Sequence, residues 1–233
     1  MHNRRPNERP NDQYNLAAPD SLAVRIGAHV RQQMFGMFMS RLKPTAKDLV
    51  LDVGATSDRV YSVSNYFESF YPFKERLTAT GIDDASFLEA LHPGVRFVQA
   101  NALELPFADA SFDLVHSSAV LEHVGSFDHQ AKMIRECLRV ARRGIFVTTP
   151  NRWFPIEFHT QLPFVHWLPT RFYREVFRKL GYEFFADESN LNLLWRSQLG
   201  RILPDVDGWT FKILSAKLLG LNSNLILVVH RDV

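Results

Sequence analysis

A single cysteine, Cys137, stands among 233 residues. One thiol cannot close a disulfide within the chain, and it cannot supply a cysteine-based zinc site. Such sparing use suits a reducing compartment, so the cytoplasm is the expected location. No apolar run approaches the ~18 residues of a membrane span, and no stable membrane insertion is expected. The polar opening "MHNRRPNERPNDQYN" lacks the apolar stretch of a secretory signal. Charge is nearly balanced at a formal +2, and no basic stripe is interleaved with aromatics, so nucleic acid is not an expected partner.

The rest of the composition is ordinary: 46% apolar and 22% charged residues describe a globular chain of one-domain size. Residues 1–18 read as a flexible arm and 19–233 as one domain. Ser21 caps a first helix, in which Leu22, Ile26, Val30, Met34, Phe38 and Leu42 recur every fourth residue. Apolar segments then alternate with helical ones: "DLVLDVG", "RLTATGIDD", "RFVQAN", "FDLVHSS" and "GIFVTTP" read as strands. Between the last two, Ser126 to Arg143 reads as a helix closed by Gly144. Residues 150–182 are crowded with aromatics and prolines and read as a lid on the substrate side, with a helix from Thr170 to Leu180 ended by Gly181. "GWTFKIL" and "NLILVVHR" pair as antiparallel strands. The expectation is a doubly wound α/β fold whose seven-stranded sheet is mostly parallel, with an antiparallel C-terminal pair.

In such a sheet, ligands bind beyond the carboxyl ends of the strands. Those ends are Asp52 to Asp58, Asp83 and Asp84, Asn101 to Leu103, His116 to Ser118, and Thr149 to Arg152. An acid ending the second strand is placed to accept from both hydroxyls of a ribose; as a structural residue it would cap the next helix. A dinucleotide loop needs G-x-G-x-x-G to approach a pyrophosphate. Here the frame reads Gly54, Thr56, Arg59, and Asp58 would repel phosphate. A nicotinamide dinucleotide is disfavoured, and a cofactor with ribose and adenine but no phosphate is preferred.

Three segments, "VLDVGATSD", "ATGIDDAS" and "FVQANALELPFADASFDLVHSSAVLEHV", together resemble the class I, seven-stranded S-adenosylmethionine-dependent methyltransferases of the type 11 group. The likeness runs from about Leu49 to Thr149. It implies that Asp52, Gly54 and the backbone of Ala55 meet the methionine end of S-adenosylmethionine. It further implies Asp83 for the ribose, Asn101 for the adenine amine, Ala102 and Leu103 for the adenine pocket, and Ser117 near the sulfonium. Thr56 and Asp58 replace the group's usual glycines, so the turn must be remodelled. Asp58 is either a contact to the cofactor's amino-acid end or the mark of a retired site, and "DRVYSVSNYFESFYPFKERL" reads as a loop covering the site.

Methyl transfer to a hydroxyl requires alignment and removal of a proton. His123, just after the fourth strand, and His159 are the candidate bases. Arg152, Trp153, Glu157 and Tyr173 are candidates to meet the acceptor. As structural residues they would pin loops or pack the lid onto the sheet. His159, His166 and Glu157 match no zinc spacing, so no metal is expected. The expected activity is methylation of a small-molecule acceptor (a sugar, a lipid-linked intermediate or a secondary metabolite) at oxygen. The alternative is a degenerate relative serving as a non-catalytic partner.

Overall fold

The segment Val50–Val53 is buried along its whole length, as a strand covered on both faces must be. In the computed structural model, which describes residues 21–61, 63–204 and 206–231, this strand, β1, belongs to a seven-stranded sheet. The others are β2 (Leu77–Gly81), β3 (Arg96–Gln99), β4 (Phe112–Ser118), β5 (Ala141–Pro150), β6 (Trp209–Leu218) and β7 (Leu221–Arg231). Their order is β3-β2-β1-β4-β5-β7-β6. The first five strands pair in parallel, while β7 runs antiparallel to β5 and β6. This is the expected α/β architecture. The arm expected over residues 1–18 lies outside the described residues.

Each face of the sheet carries its own core. Helix α1 (Leu22–Leu42) is capped by Ser21, whose Oγ accepts from the Val24 amide at 3.4 Å. Its Val30, Met34, Phe38 and Leu42 pack with Val50, Leu77 and Phe146 on one face. A four-residue repeat outruns the 3.6-residue turn, so the apolar stripe drifts around the helix and Leu22 at its start is exposed. On the opposite face, Met133, Ile134, Cys137 and Leu138 of α4 (Phe127–Val140) pack with Leu51, Val53 and Val147. Arg139 of this helix clamps the preceding segment, donating to the carbonyls of Leu105 and Phe107 and to Asp109.

Two expectations need correction. The helix does not run to Arg143; the chain turns extended at Ala141 (φ −85°, ψ 138°) and enters β5 without a loop. Pairing of Ala141 with Phe112 in the sheet outweighs one more helical turn. Arg142 and Arg143 therefore lie in a strand and pair with Asp113 and Asp48. Gly144 is a packing position rather than a helix cap, since a Cβ there would stand 3.0 Å from Leu42 Cδ2 and from the Val229 carbonyl. The aromatic segment after Asp58 is also not a cover. It forms the short helix α2 (Tyr66–Phe70), and Tyr66, Phe67 and Tyr71 are buried against Phe38. A short α3 (Phe87–Leu91) then joins β2 to β3.

After β5 the chain makes an excursion through α5 (Thr170–Lys179) and α6 (Glu183–Ala186) before α7 (Arg196–Arg201) and the final strand pair. The excursion has a core of its own, built on Tyr173, Phe177, Phe185, Leu191 and Leu193. Asn151 and Arg152 tie its start to the Ser223 and Leu194 carbonyls. Helix α5 runs to Lys179 with Leu180 as its C-cap, and Gly181 follows with φ 85°, as expected. Among the described residues, no helix is long and apolar enough to cross a membrane.

Candidate functional site

The strand order reverses direction between β1 and β4, which is where an open α/β sheet leaves a crevice at its carboxyl edge. Backbone meets backbone closely there. The amides of Gly54 and Ala55 both donate to the Thr80 carbonyl, at 2.7 and 3.0 Å. The Ala55 carbonyl lies 2.0 Å from where a Cβ on Gly81 would stand, so only glycine fits at the end of β2. Gly54 has φ 119°, and a Cβ on it would meet Val120 Cγ2 at 2.0 Å. Ala119, in the turn after β4, takes the left-handed conformation (φ 55°) and donates to the Thr148 carbonyl.

Asp52 does not point into this crevice. Strand alternation sets it on the face of Val50, in register with His116 on β4. There its carboxylate meets His116 Nδ1, and Tyr66 Oη lies 3.3 Å from His116 Nε2. The imidazole stacks on Phe67 with centroids 3.8 Å apart. Burial pushes the Asp52 carboxyl up to about 7 and the His116 ring down to about 3. The adjacent Glu68 is raised as well, first by burial and then by Asp52. Asp52 is thus a buried polar tie between β1, β4 and α2. Ser117 is equally enclosed, its hydroxyl donating to the Val53 carbonyl at 2.7 Å.

The glycine-poor loop has found a conformation that needs no further glycine. Neither Thr56 nor Asp58 has a positive φ. Asn65 grips the Thr56 backbone on both sides, accepting from its amide and donating to its carbonyl. Asp58 accepts from the Val60 amide and the Ser64 hydroxyl, while its own amide donates to Thr56 Oγ1. Asp58 closes the loop onto itself. On β2's side, Asp84 accepts from the Ser86 amide in the turn before α3, a bond that lowers its pKa. Asp83 beside it is half-buried at the carboxyl edge. Asn101 is exposed, with its side-chain oxygen on the Leu103 amide at 2.9 Å, and Ala102 and Leu103 pack against the core beneath.

The structure brings His123 and His159 together. Their Nε2 atoms are 3.1 Å apart. His123 Nδ1 faces the Asn190 carbonyl at 2.6 Å, and His159 Nδ1 faces Glu157 Oε1 at 2.6 Å. The other Glu157 oxygen accepts from the amide and hydroxyl of Thr160. Burial alone would raise Glu157, but the His159 ring and the amides of His159 and Thr160 together outweigh it and hold the carboxyl at about 2. Burial likewise works against charge on His159, and Glu157 reverses the direction, so its pKa is raised. His123 is pushed down to about 3, by burial first and His159 next. Glu122 is fully buried and raised to about 7 by that burial.

The remaining candidates are parts of the excursion's frame. Arg152 is buried, donates to the His166 and Leu168 carbonyls, and lies over the rings of Tyr173 and Trp195. Tyr173 belongs to the excursion's core. Trp153 is 56% exposed and packs on Trp167 and Trp195. His166 pairs with the Phe154 carbonyl, away from His159.

Residues 51–148 match a protein family described as a methyltransferase domain. That stretch of the chain is similar to a methyltransferase domain. The match begins in β1 and ends in β5, so it contains every strand whose carboxyl end borders the crevice. A probable S-adenosylmethionine-dependent methyltransferase of Mycobacterium tuberculosis (strain H37Rv) is 46% identical over 63 residues, 26% of this chain and 22% of that protein. The aligned part thus spans about a fifth of the relative's length. Magnesium protoporphyrin IX methyltransferase from Synechocystis PCC 6803, solved with bound SAH, superposes with a TM-score of 0.56 at 15% identity, covering 94% of this chain and 91% of that one. The cyclase SpnF superposes equally well, at 0.56 and 14% identity over 86% of this chain and 81% of its own. At such identities the likeness shows the fold alone, the seven-stranded α/β fold of class I methyltransferases.

Two features of the site escape sequence reasoning. Glu122 was passed over inside "LEHV", although it adjoins a histidine singled out for chemistry. Val120, which fills the space above Gly54, carries no chemical signal at all.

Proposed function

We propose that the chain binds S-adenosylmethionine at the carboxyl edge of its methyltransferase domain and transfers the methyl group to a small-molecule acceptor at oxygen. The observation that carries this reading is the span of the family match, from β1 through β5. Asp83 takes the ribose hydroxyls, Asn101 meets the adenine amine, and Ala102 and Leu103 form the floor of the adenine pocket. Gly54 and Gly81, bare of Cβ, leave room for the methionine portion. Asp52, Ser117, Thr56, Asp58 and Asp84 hold the frame around it. The excursion after β5 acts as the lid, pinned by Arg152, Glu157 and Tyr173, with Trp153 presented to the acceptor. The acceptor's proton goes to the His123–His159 pair, in which His159 is the stronger base because Glu157 supports its charged form.

Calorimetry with S-adenosylhomocysteine tests the reading. A Kd on the order of micromolar is expected, equivalent to about −8 kcal/mol, and Asp83→Ala should weaken it at least about tenfold through lost hydrogen bonds to the ribose. Absence of binding at about 1 mM, or about −4 kcal/mol, would sink it. One observation favours a second reading, a non-catalytic partner: the amides of Gly54 and Ala55 and the polar groups of Thr56 and Asp58 are already bonded within the protein. Under that reading the calorimetric signal is flat.

A further inference from the structure

We infer that Glu122, His123 and His159 form a binding site for one divalent transition-metal ion, with Glu157 as the outer carboxylate that orients His159. The three donor groups come from two distant stretches, the turn after β4 and the excursion, yet their ligand atoms all lie within 4.8 Å of one another. The inference concerns ion binding and stands whether or not the chain transfers a methyl group; with an ion on both Nε2 atoms the pair is not available to take the acceptor's proton, so the two roles exclude each other.

Hydrogen-bond accounting around the two rings leads to it. His123 Nδ1 faces a carbonyl oxygen and His159 Nδ1 faces a carboxylate oxygen. Both partners accept only, so each Nδ1 carries the proton and each neutral ring keeps a lone pair on Nε2. Those two lone pairs are directed at each other across 3.1 Å. Something positive must stand between them: an extra proton that makes one ring an imidazolium, or a cation that both nitrogens ligate.

Glu122 favours the cation. Its Oε2 accepts from Thr149 Oγ1 at 2.9 Å, but Oε1 is completely buried and has no hydrogen-bond partner among the described residues. That oxygen lies 3.9 Å from His123 Nε2. A buried carboxylate oxygen left so is costly, and a single shared proton between the histidines does nothing for it. One ion satisfies all three atoms, and a dication also balances the charges of Glu122 and Glu157.

The geometry is close to what an ion requires. With metal–ligand bonds of about 2.0–2.1 Å, a tetrahedral ion sets its ligand atoms roughly 3.4 Å apart. The histidine pair fits with a small opening, and Glu122 closes by a rotation on the order of an ångström. Two imidazoles and one carboxylate select zinc, iron(II) or cobalt(II) over magnesium or calcium. Three protein ligands leave at least one position open. Glu157 on His159 Nδ1 and the Asn190 carbonyl on His123 Nδ1 supply the outer contacts that fix ligand histidines. The ion would also staple the excursion to the turn after β4.

The test uses the full chain, stripped with a chelator and titrated with zinc alone by calorimetry, with cobalt(II) absorption as a second readout. One equivalent is expected to bind with micromolar or tighter Kd, with a raised melting temperature. His123→Ala and His159→Ala should each abolish the site, and Glu157→Gln should weaken it about 10–100-fold. Glu122→Gln, which keeps the shape of the buried side chain, covers the case in which a histidine variant fails to fold. It should weaken zinc binding at least about tenfold, as loss of a first ligand costs no less than loss of an outer contact. No binding up to about 100 µM zinc, roughly −5.5 kcal/mol, would overturn the inference and leave a shared proton between the rings. Binding that Glu122→Gln and Glu157→Gln leave unchanged would overturn it equally, because the ion would then sit elsewhere.

Discussion

Replacing Gly54 with alanine perturbs the crevice at its tightest point, and two separable costs follow. The first is conformational: Gly54 has φ 119°, and positive-φ geometry costs an L residue about 1–2 kcal/mol. The second is steric: the new Cβ would stand 2.0 Å from Val120 Cγ2, where contacting carbons prefer about 3.5–4.0 Å. Forcing a methyl into such a place costs about 1–3 kcal/mol. Gly54→Ala should therefore lose about 2–5 kcal/mol in all. Val120→Ala removes the obstructing methyl and by itself costs about 1 kcal/mol at partial burial. In the double variant the steric cost is relieved, leaving the conformational cost of the substituted glycine plus the cost of Val120→Ala itself. Urea unfolding of the four proteins measures a coupling energy, expected at about 1–3 kcal/mol. A loss below about 0.5 kcal/mol for Gly54→Ala, or strict additivity of the two changes, would refute the packing described at the crevice.

Three other outcomes are expected. Burial raises Asp52 to about 7, so its folded form keeps a proton that the unfolded carboxyl, at 3.8, releases; this group lowers stability as pH rises between those values. His116, lowered from 6.5 to about 3, acts in the opposite sense, adding stability as pH rises through that window. Asp52→Asn removes the first of these slopes, so relative to the wild type the variant should gain stability as pH rises from 3.8 to about 7, by up to about 1.4 kcal/mol per pH unit; a difference between the two proteins that does not change with pH would disprove it. Arg152→Ala loses two charged hydrogen bonds and its place between Tyr173 and Trp195. Hydrogen exchange across 151–168 should accelerate by about 2–4 kcal/mol of local opening, and Arg152→Lys should not restore it, since an ammonium cannot form the same planar fork. Cys137 is buried with its thiol pushed up to about 12, so a thiol reagent should label it at the rate of unfolding; rapid labelling of the native protein would contradict its place in the core.

Much of this protein can be read from local pattern. The buried runs of β1, β4 and β5 announce themselves as strands because their covering on both faces leaves no polar position to alternate. Ser21 as a cap and Gly181 after α5 are equally local, since each acts on a backbone group within a few residues. The end of α4 is not local: whether Ala141 continues a helix or begins a strand depends on Phe112, its partner across the sheet. The polar residues are harder still. Asp52 looks like a cofactor ligand in its own segment, and its true partner, His116, is brought beside it by strand register alone.

The absent glycines are the clearest case of a chain speaking for itself. They exclude a pyrophosphate loop, and the alternation of strands and helices then specifies a sheet with one crevice. Which side chains reach that crevice was decided by folding. Asp58 turns inward because Ser64 and the Val60 amide are there to receive it. His123 and His159, separated by 36 positions, face each other only once the excursion folds back over β4. A buried polar group takes its chemistry from whichever neighbours satisfy it, and for this chain those neighbours are distant in sequence.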